Sequence, residues 1–99
     1  MRPIHVAKLD KSRPALVLTR DQVRPRRNLV TVAPITSTVR GLSVEVPVGV
    51  ANGLDHACVV NLDNIMTISV TDLGRQIGRL LPEQEAALSR AIHAAFDLD

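Results

Sequence analysis

Three short stretches of this chain bring together residue types that handle phosphate. In "SRPALVLT", Arg13 stands directly before an apolar run, and Pro14 stiffens the backbone that carries it. A guanidinium offers a charged, planar fork that suits phosphate oxygens by geometry and charge. In "VAPITSTVRG", residues 32–41, a β-branched run stops at Pro34; the hydroxyls of Thr36, Ser37 and Thr38 follow, and Arg40 and Gly41 close the stretch. Hydroxyls leaving a strand end either donate to phosphate oxygens or bond their own backbone in a turn. In "NLDN", Asn61, Asp63 and Asn64 interrupt an apolar segment, as a plain turn former or as the wall of a site. Arg24, Arg26 and Arg27, in the proline-broken "RDQVRPRRN", join Arg40 as positions that would track phosphates without reading sequence. For each of these arginines the alternative is an ordinary solvated charge.

Composition narrows the partners. The formal net charge of +2 hides an asymmetry: residues 1–40 carry nine Lys/Arg against Asp10 and Asp21, whereas residues 41–99 carry three arginines against eight acids. A basic half suits a polyanion, unless the fold interleaves the two halves and averages the field. There is no Trp or Tyr, and the single Phe is Phe96, so a platform of aromatic rings stacking unpaired bases is excluded. His5, His56 and His93 are scattered and the lone Cys58 has no histidine at ligand spacing, so no metal or other cofactor is expected. His93 reads as a surface or packing residue, and His56 as a minor candidate for touching substrate. A glycine-rich phosphate loop and a nucleophile-elbow serine are both missing, which removes nucleoside triphosphate and acyl-transfer chemistry. No apolar run approaches the ~20 residues of a membrane span, and "MRPIHVAKLD" has charges where an export signal would be apolar. A reducing cytoplasm with no membrane association is the expected setting, and Cys58 in "ACVVN" is expected to be a buried strand residue.

The elements that must position these residues are mostly strands. At 99 residues and 45% apolar content the chain is read as one domain, 1–99, with one modest core. Strands are expected at 4–9, 14–19 and 29–35, from apolar and β-branched runs. A fourth, 42–48, alternates with Leu42, Val44, Val46 and Val48 on one face, and Pro47 places it at a sheet edge. Residues 48–57, with an Asn-Gly pair, read as an irregular excursion. "CVVNLDNIMTI", 58–68, divides into an apolar strand, a polar kink at 61–64 and a short apolar exit. A brief turn precedes a strand around 76–80, and "LPEQEAALSRAIHAAFDLD" is helical, with Pro82 in its first turn and Leu88, Ile92 and Phe96 on one stripe. The pattern predicts a mainly β, α+β fold: a small, largely antiparallel barrel or sheet closed by a C-terminal helix.

In order, "SRPALVLT", "VTVAPITST", "ACVVNLDNIMTI", "DLGRQIGRL" and a terminal helix resemble the MazF/PemK family of toxin endoribonucleases, over nearly the whole chain and most closely its mycobacterial members. The resemblance implies an SH3-like antiparallel β-barrel with a C-terminal helix, the CcdB/PemK-like architecture, assembled as a homodimer. It implies metal-independent, sequence-specific cleavage of single-stranded RNA to 2′,3′-cyclic phosphate and 5′-hydroxyl ends, and a toxin of a type II toxin–antitoxin system. The substrate would be mRNA, with rRNA or tRNA as further candidates, and the protein partner a cognate antitoxin. Carried over by position, the catalytic arginine falls on Arg13 and the catalytic threonine on Thr36. Ser37 follows as in several members, Asp63 matches an acidic position implicated in some relatives, and Asn64 a frequent glutamine. With Thr38, Arg40, Asn61 and the loop arginines these form the expected RNA-binding set.

Departures from the family pattern are local. The connection "LDKSRP" is minimal where relatives carry a long glycine-containing loop. Asn61 stands where some have arginine, Met66 where an Arg-Thr pair is common, and His5 in place of a first-strand aromatic. The rival readings are a non-enzymatic gyrase poison of the CcdB type and a non-catalytic RNA-binding barrel. The pairing of Arg13 with Thr36 favours the nuclease over both.

Overall fold

A computed structural model describes residues 2–20 and 28–98. The strands are β1 (Pro3–Lys8), β2 (Ser12–Val17), β3 (Leu29–Thr36), β4 (Glu45–Val48), β5 (Cys58–Asn61), β6 (Met66–Ser69) and β7 (Leu73–Arg79), followed by helix α1 (Glu85–Ala95). One antiparallel sheet takes the order β4-β5-β3-β2-β1-β7, and β6 pairs with β3 as well. β5 and β6 meet β3 in sequence: Val60 pairs with Ile35 and Met66 with Val32, with the one-turn helix Leu62–Asn64 between them. The expected division of 58–68 into strand, kink and exit is therefore what forms.

The sheet stays open, which corrects the expected closed barrel. Among the described residues β4 pairs only with β5 and β7 only with β1. Side chains bridge the opening instead. Asn52, 1% exposed, donates from Nδ2 to the Arg79 carbonyl at 3.0 Å and accepts the Gly49 N–H at 3.0 Å. Gln84 donates to Asn52 Oδ1 at 3.2 Å and to the Pro47 carbonyl at 3.4 Å, and its Oε1 accepts the Leu81 N–H at 2.8 Å. The backbones meet closely here: a Cβ on Gly78 would lie 1.7 Å from the Asn52 carbonyl oxygen.

Two clusters of buried residues use opposite faces of the central strands. Even-numbered residues of β1 and β2 (Ile4, Leu16) and odd-numbered residues of β3 (Ala33, Ile35) join Val46, Val60, Leu62, Leu80 and the helix residues Leu88 and Ala91. The other parity, Ala7, Ala15, Val17, Val30 and Val32, packs with Leu9, Ile68 and Leu73. Period-2 alternation in β1–β3 thus fills both faces.

Boundaries moved where local bonding overrode pattern. β1 and β2 begin and end two residues or less before the expected 4–9 and 14–19, β3 includes Thr36, and β7 starts at Leu73, ahead of the expected 76–80, and ends at Arg79. Val44, Val46 and Val48 are buried as alternation predicts, but Leu42 is 49% exposed, because the Glu45 carboxylate accepts the N–H groups of Leu42 and Arg40 and holds a loop there. Pro47 does lie on an edge strand. Pro82 opens a one-turn helix, Pro82–Gln84, that leads into α1. Leu88 and Ala91 bury their side chains, while Phe96 caps the helix 58% exposed and drops out of the expected stripe. Among the described residues, no helix is long and apolar enough to cross a membrane.

Candidate active site

The β1–β2 hairpin sets the first residues of the site. Its connection is only three residues, closed by the Lys8–Ser12 pair and by the Leu9 N–H donating to the Lys11 carbonyl at 3.1 Å. So tight a turn folds Asp10 back over the start of β2, where Arg13 Nη2 donates to Asp10 Oδ2 at 3.0 Å. Arg13 keeps 25% of its side chain exposed and Asp10 72%. Arg13 Nε is buried and has no partner among the described residues. An interior N–H without an acceptor is costly, so this guanidinium is held by one carboxylate and otherwise left unsatisfied.

A cleft of about 410 Å³ opens beside this pair, lined by Asp10, Arg13, Pro34, Asp63, Asn64 and Met66, with Leu9 and Ile65 completing its wall. Asp63 and Asn64 reach it because Leu62, 1% exposed, plugs the one-turn helix into the core, with its N–H donating to the Val44 carbonyl at 3.0 Å. The polar kink forms a turn, and its Asp63 and Asn64 line the cleft. Asn61 caps that turn: its Oδ1 accepts the Asp63 N–H at 2.9 Å. Its carbonyl is therefore committed to structure, and only its amide hydrogens are left to meet a ligand.

Thr36 ends β3 and is held there by pairing with Val59 of β5. The β2–β3 ladder pairs Ala15 with Pro34, Leu16 with Ala33 and Val17 with Val32. Extending that register by two residues brings Thr36 level with Arg13 on the neighbouring strand and on the same face. Thr36 Oγ1 accepts the Thr38 N–H at 3.1 Å, which leaves its O–H hydrogen to donate elsewhere. Ser37, Thr38 and Arg40 are exposed on the following loop, where the Arg40 N–H meets the Glu45 carboxylate at 3.2 Å. Arg24, Arg26 and Arg27 lie outside the described residues.

The structure gathers Arg13, Asp63 and Asn64 on one cleft; Thr36 is not among the residues that line it, and the β2–β3 pairing ends two residues short of Thr36, at Ala15 and Pro34. The structure adds Asp10, which the sequence reading passed over. Its signal was an acid three residues before the arginine in a connection too short to splay. The other candidates fall elsewhere. His56 is exposed beside Asp55, and His93 is occupied by the Ser89 carbonyl at 2.7 Å on α1. Cys58 is buried as expected; burial, and secondarily the negative charge of Asp55, pushes its thiol above the usual range.

The chain is similar to known proteins along its whole length. The family model for a "PemK-like, MazF-like toxin of type II toxin-antitoxin system" matches residues 3–96. Endoribonuclease MazF3 of Mycobacterium tuberculosis is 65% identical over 99 residues, covering 100% of this chain and 96% of that protein. Probable endoribonuclease MazF2 of the same species is 48% identical over 71 residues, 71% of this chain and 70% of that one. Among solved structures, the Mycobacterium tuberculosis toxin MazF-mt6 superposes with a TM-score of 0.97 at 64% identity, covering 99% of each chain. A Deinococcus radiodurans MazE–MazF complex shares the fold, with a TM-score of 0.79 at 19% identity over 98% of this chain and 93% of that one. By sequence over nearly all its residues and by superposition of its backbone, the chain belongs to the PemK/MazF family of type II toxin–antitoxin toxins.

Proposed function

We propose that this chain is a toxin endoribonuclease that cuts single-stranded RNA at the Arg13 cleft, inhibiting translation and growth. RNA supplies its own nucleophile. The 2′-oxygen attacks the adjacent phosphorus, the P–O5′ bond breaks, and the products carry a 2′,3′-cyclic phosphate and a 5′-hydroxyl. The protein has to align the attack and stabilise the extra charge on the phosphorane. Arg13 does this from the cleft with its planar, cationic fork. Thr36 donates its free O–H to a non-bridging oxygen, and Asp10 accepts the proton leaving the 2′-hydroxyl. A solvent proton completes the departing 5′-oxygen. Asp63, Asn64 and the amide of Asn61 face the flanking nucleotides, and Ser37, Thr38 and Arg40 the continuing backbone. The substrate is unpaired, because an A-form duplex hides its base edges in a deep, narrow groove.

The observation that carries this reading is the Arg13–Asp10 pair at 3.0 Å on the cleft that Asp63 and Asn64 also line, with the Arg13 side chain still 25% exposed. A guanidinium with one N–H engaged and part of its fork open to the cleft suits an incoming phosphate. MazF3, at 65% identity, is named an endoribonuclease, which supports the same activity here. A cytoplasmic homodimer is the working form, and a cognate antitoxin with an acidic, disordered segment fits over the basic surface; the MazE–MazF complexes of the same fold support such a partner.

The test is direct. A long single-stranded RNA incubated with the protein in EDTA yields discrete cuts ending in cyclic phosphate, and Arg13→Ala lowers the rate on the order of 10²–10⁴-fold. An Arg13→Ala protein with parental cleavage removes Arg13 from the reaction. A parental protein that cuts none of a varied set of RNAs points instead to the gyrase-poison alternative.

A further inference from the structure

We propose that His5 is a specificity-determining residue, whose Nε2 accepts a hydrogen bond from the amino edge of a cytosine or adenine flanking the cut. The inference rests on the endoribonuclease reading of the Arg13 cleft. On the β1–β2 ladder His5 pairs with Ala15 and Ala7 pairs with Arg13. His5 and Arg13 are therefore diagonal neighbours on one face of the sheet, roughly 7–8 Å apart. Adjacent nucleotides of an extended single strand can span that separation. Pro34, which lines the cleft, pairs with Ala15 on the other side. A row of paired residues thus leads from His5 across the small, buried Ala15 to Pro34 at the cleft.

The chemistry of the ring is set by its other nitrogen. His5 Nδ1 lies 2.8 Å from the Gly74 carbonyl. A carbonyl only accepts, so Nδ1 carries the hydrogen, and the neutral ring keeps its lone pair on Nε2. Among the described residues Nε2 has no partner. The local backbone is built for this contact. The β1–β7 ladder is irregular on both sides of His5, which leaves Gly74 between the Gln76 and Leu73 pairings. A Cβ on Gly74 would sit 2.9 Å from the Val6 carbonyl oxygen, so glycine lets the two strands approach closely at this point. Irregularities of this kind commonly re-aim side chains beside active sites. The chain also has no aromatic ring to share the work of base recognition on this face: its single Phe lies past the end of α1. An acceptor at Nε2 matches the C4 amino group of cytosine and the C6 amino group of adenine, positions where uracil and guanine carry a carbonyl; guanine's own amino group stands at C2, at the other end of its pairing edge.

Two variants separate this role from a structural one. His5→Asn keeps a donor for the Gly74 carbonyl but has no atom at the Nε2 position. His5→Gln places an amide oxygen there and can still accept. Cleavage is measured as relative kcat/KM over a set of single-stranded RNAs that differ at one position at a time, with Arg13→Ala run in parallel. His5→Asn is expected to lower kcat/KM on the preferred sequence about 10-fold and to flatten the preference for an amino-bearing base at one position, while His5→Gln retains it. An unchanged preference profile in His5→Asn overturns the proposal. So does an equal fall on every sequence in both variants, because that is the mark of a merely structural residue. If Arg13→Ala is inactive while the His5→Asn profile is parental, only the His5 proposal fails. If Arg13→Ala cleaves normally, the reading beneath it fails too.

Discussion

At the scale of single residues, Arg13 lines the cleft with only part of its hydrogen-bonding capacity met. One of its N–H groups meets Asp10 at 3.0 Å, and its buried Nε–H meets nothing among the described residues. Leaving such a donor unpaired in the interior costs about 1–3 kcal/mol. The ion pair returns little of that, since Asp10 is 72% exposed and a pair open to solvent is weak. Arg13→Met keeps the apolar stem and deletes the unsatisfied group. The variant is therefore expected to be at least as stable as the parent by denaturant titration, while losing cleavage on the order of 10²–10⁴-fold. A clear loss of stability would recast Arg13 as a structural residue and withdraw the role assigned to it.

At the scale of elements, the sheet is held shut by two amides rather than by a last ladder of backbone bonds. β4 and β7 do not pair; Asn52 and Gln84 span the distance between them, with Asn52 fully buried and bonded to Gly49, Arg79 and Gln84. Truncating Asn52 strands the Gly49 N–H and takes a donor away from the Arg79 carbonyl and from Gln84, so Asn52→Ala should lose on the order of 2–4 kcal/mol in a two-state urea titration. Asn52→Asp, which keeps the acceptor and removes the donors, should also be destabilising. A variant within 0.5 kcal/mol of the parent, the range of roughly neutral surface changes, would show that the bridge contributes little.

This bridge also marks where sequence reasoning stops. The β-branched runs of β3 and β5 and the alternation of Val44, Val46 and Val48 are local signals, and they name their strands. Arg13 and Thr36 stand out in the sequence because a proline fixes the backbone nearby, Pro14 next to Arg13 and Pro34 two residues before Thr36. The open seam between β4 and β7, spanned by side chains in place of a ladder, was not legible, because Asn52 and Gln84 are 32 positions apart and an Asn-Gly pair looks the same in a loop that bridges nothing. Leu42 was misplaced for a similar reason: its alternation is real, but the Glu45 carboxylate captures its N–H before a strand can form. Asp10 was missed because its role depends on the turn being only three residues long, a fact of the hairpin and not of the residue.

At the scale of the whole molecule, the fold decides between the two readings of the charge asymmetry. The basic and acidic halves do interleave, since β1 pairs with β7 and β3 with β5 and β6. The pairing does not cancel the charges evenly. Arg2 is neutralised on the helix side, where its Nε meets Glu85 at 3.2 Å and its Nη1 donates to the Leu18 carbonyl at 3.1 Å. Arg40 instead presents an exposed side chain on the loop that follows Thr36, and the Glu45 carboxylate is taken up by that loop's backbone N–H groups. RNA lying in the Arg13 cleft and continuing past Thr36 would meet Arg40 and never reach Arg2. Affinity for an RNA that lacks the nucleophilic 2′-hydroxyl, and so cannot be cut, should fall linearly with log[salt], with a slope of about −0.7 for each phosphate contacted. Arg40→Ala should make that slope shallower by about 0.7 and weaken binding by a similar factor on every sequence. Arg2→Ala removes the same formal charge from the opposite side and should leave the slope unchanged. Equal effects of the two substitutions would mean that RNA responds to net charge alone, and the path from Arg13 over Thr36 to Arg40 would have to be abandoned.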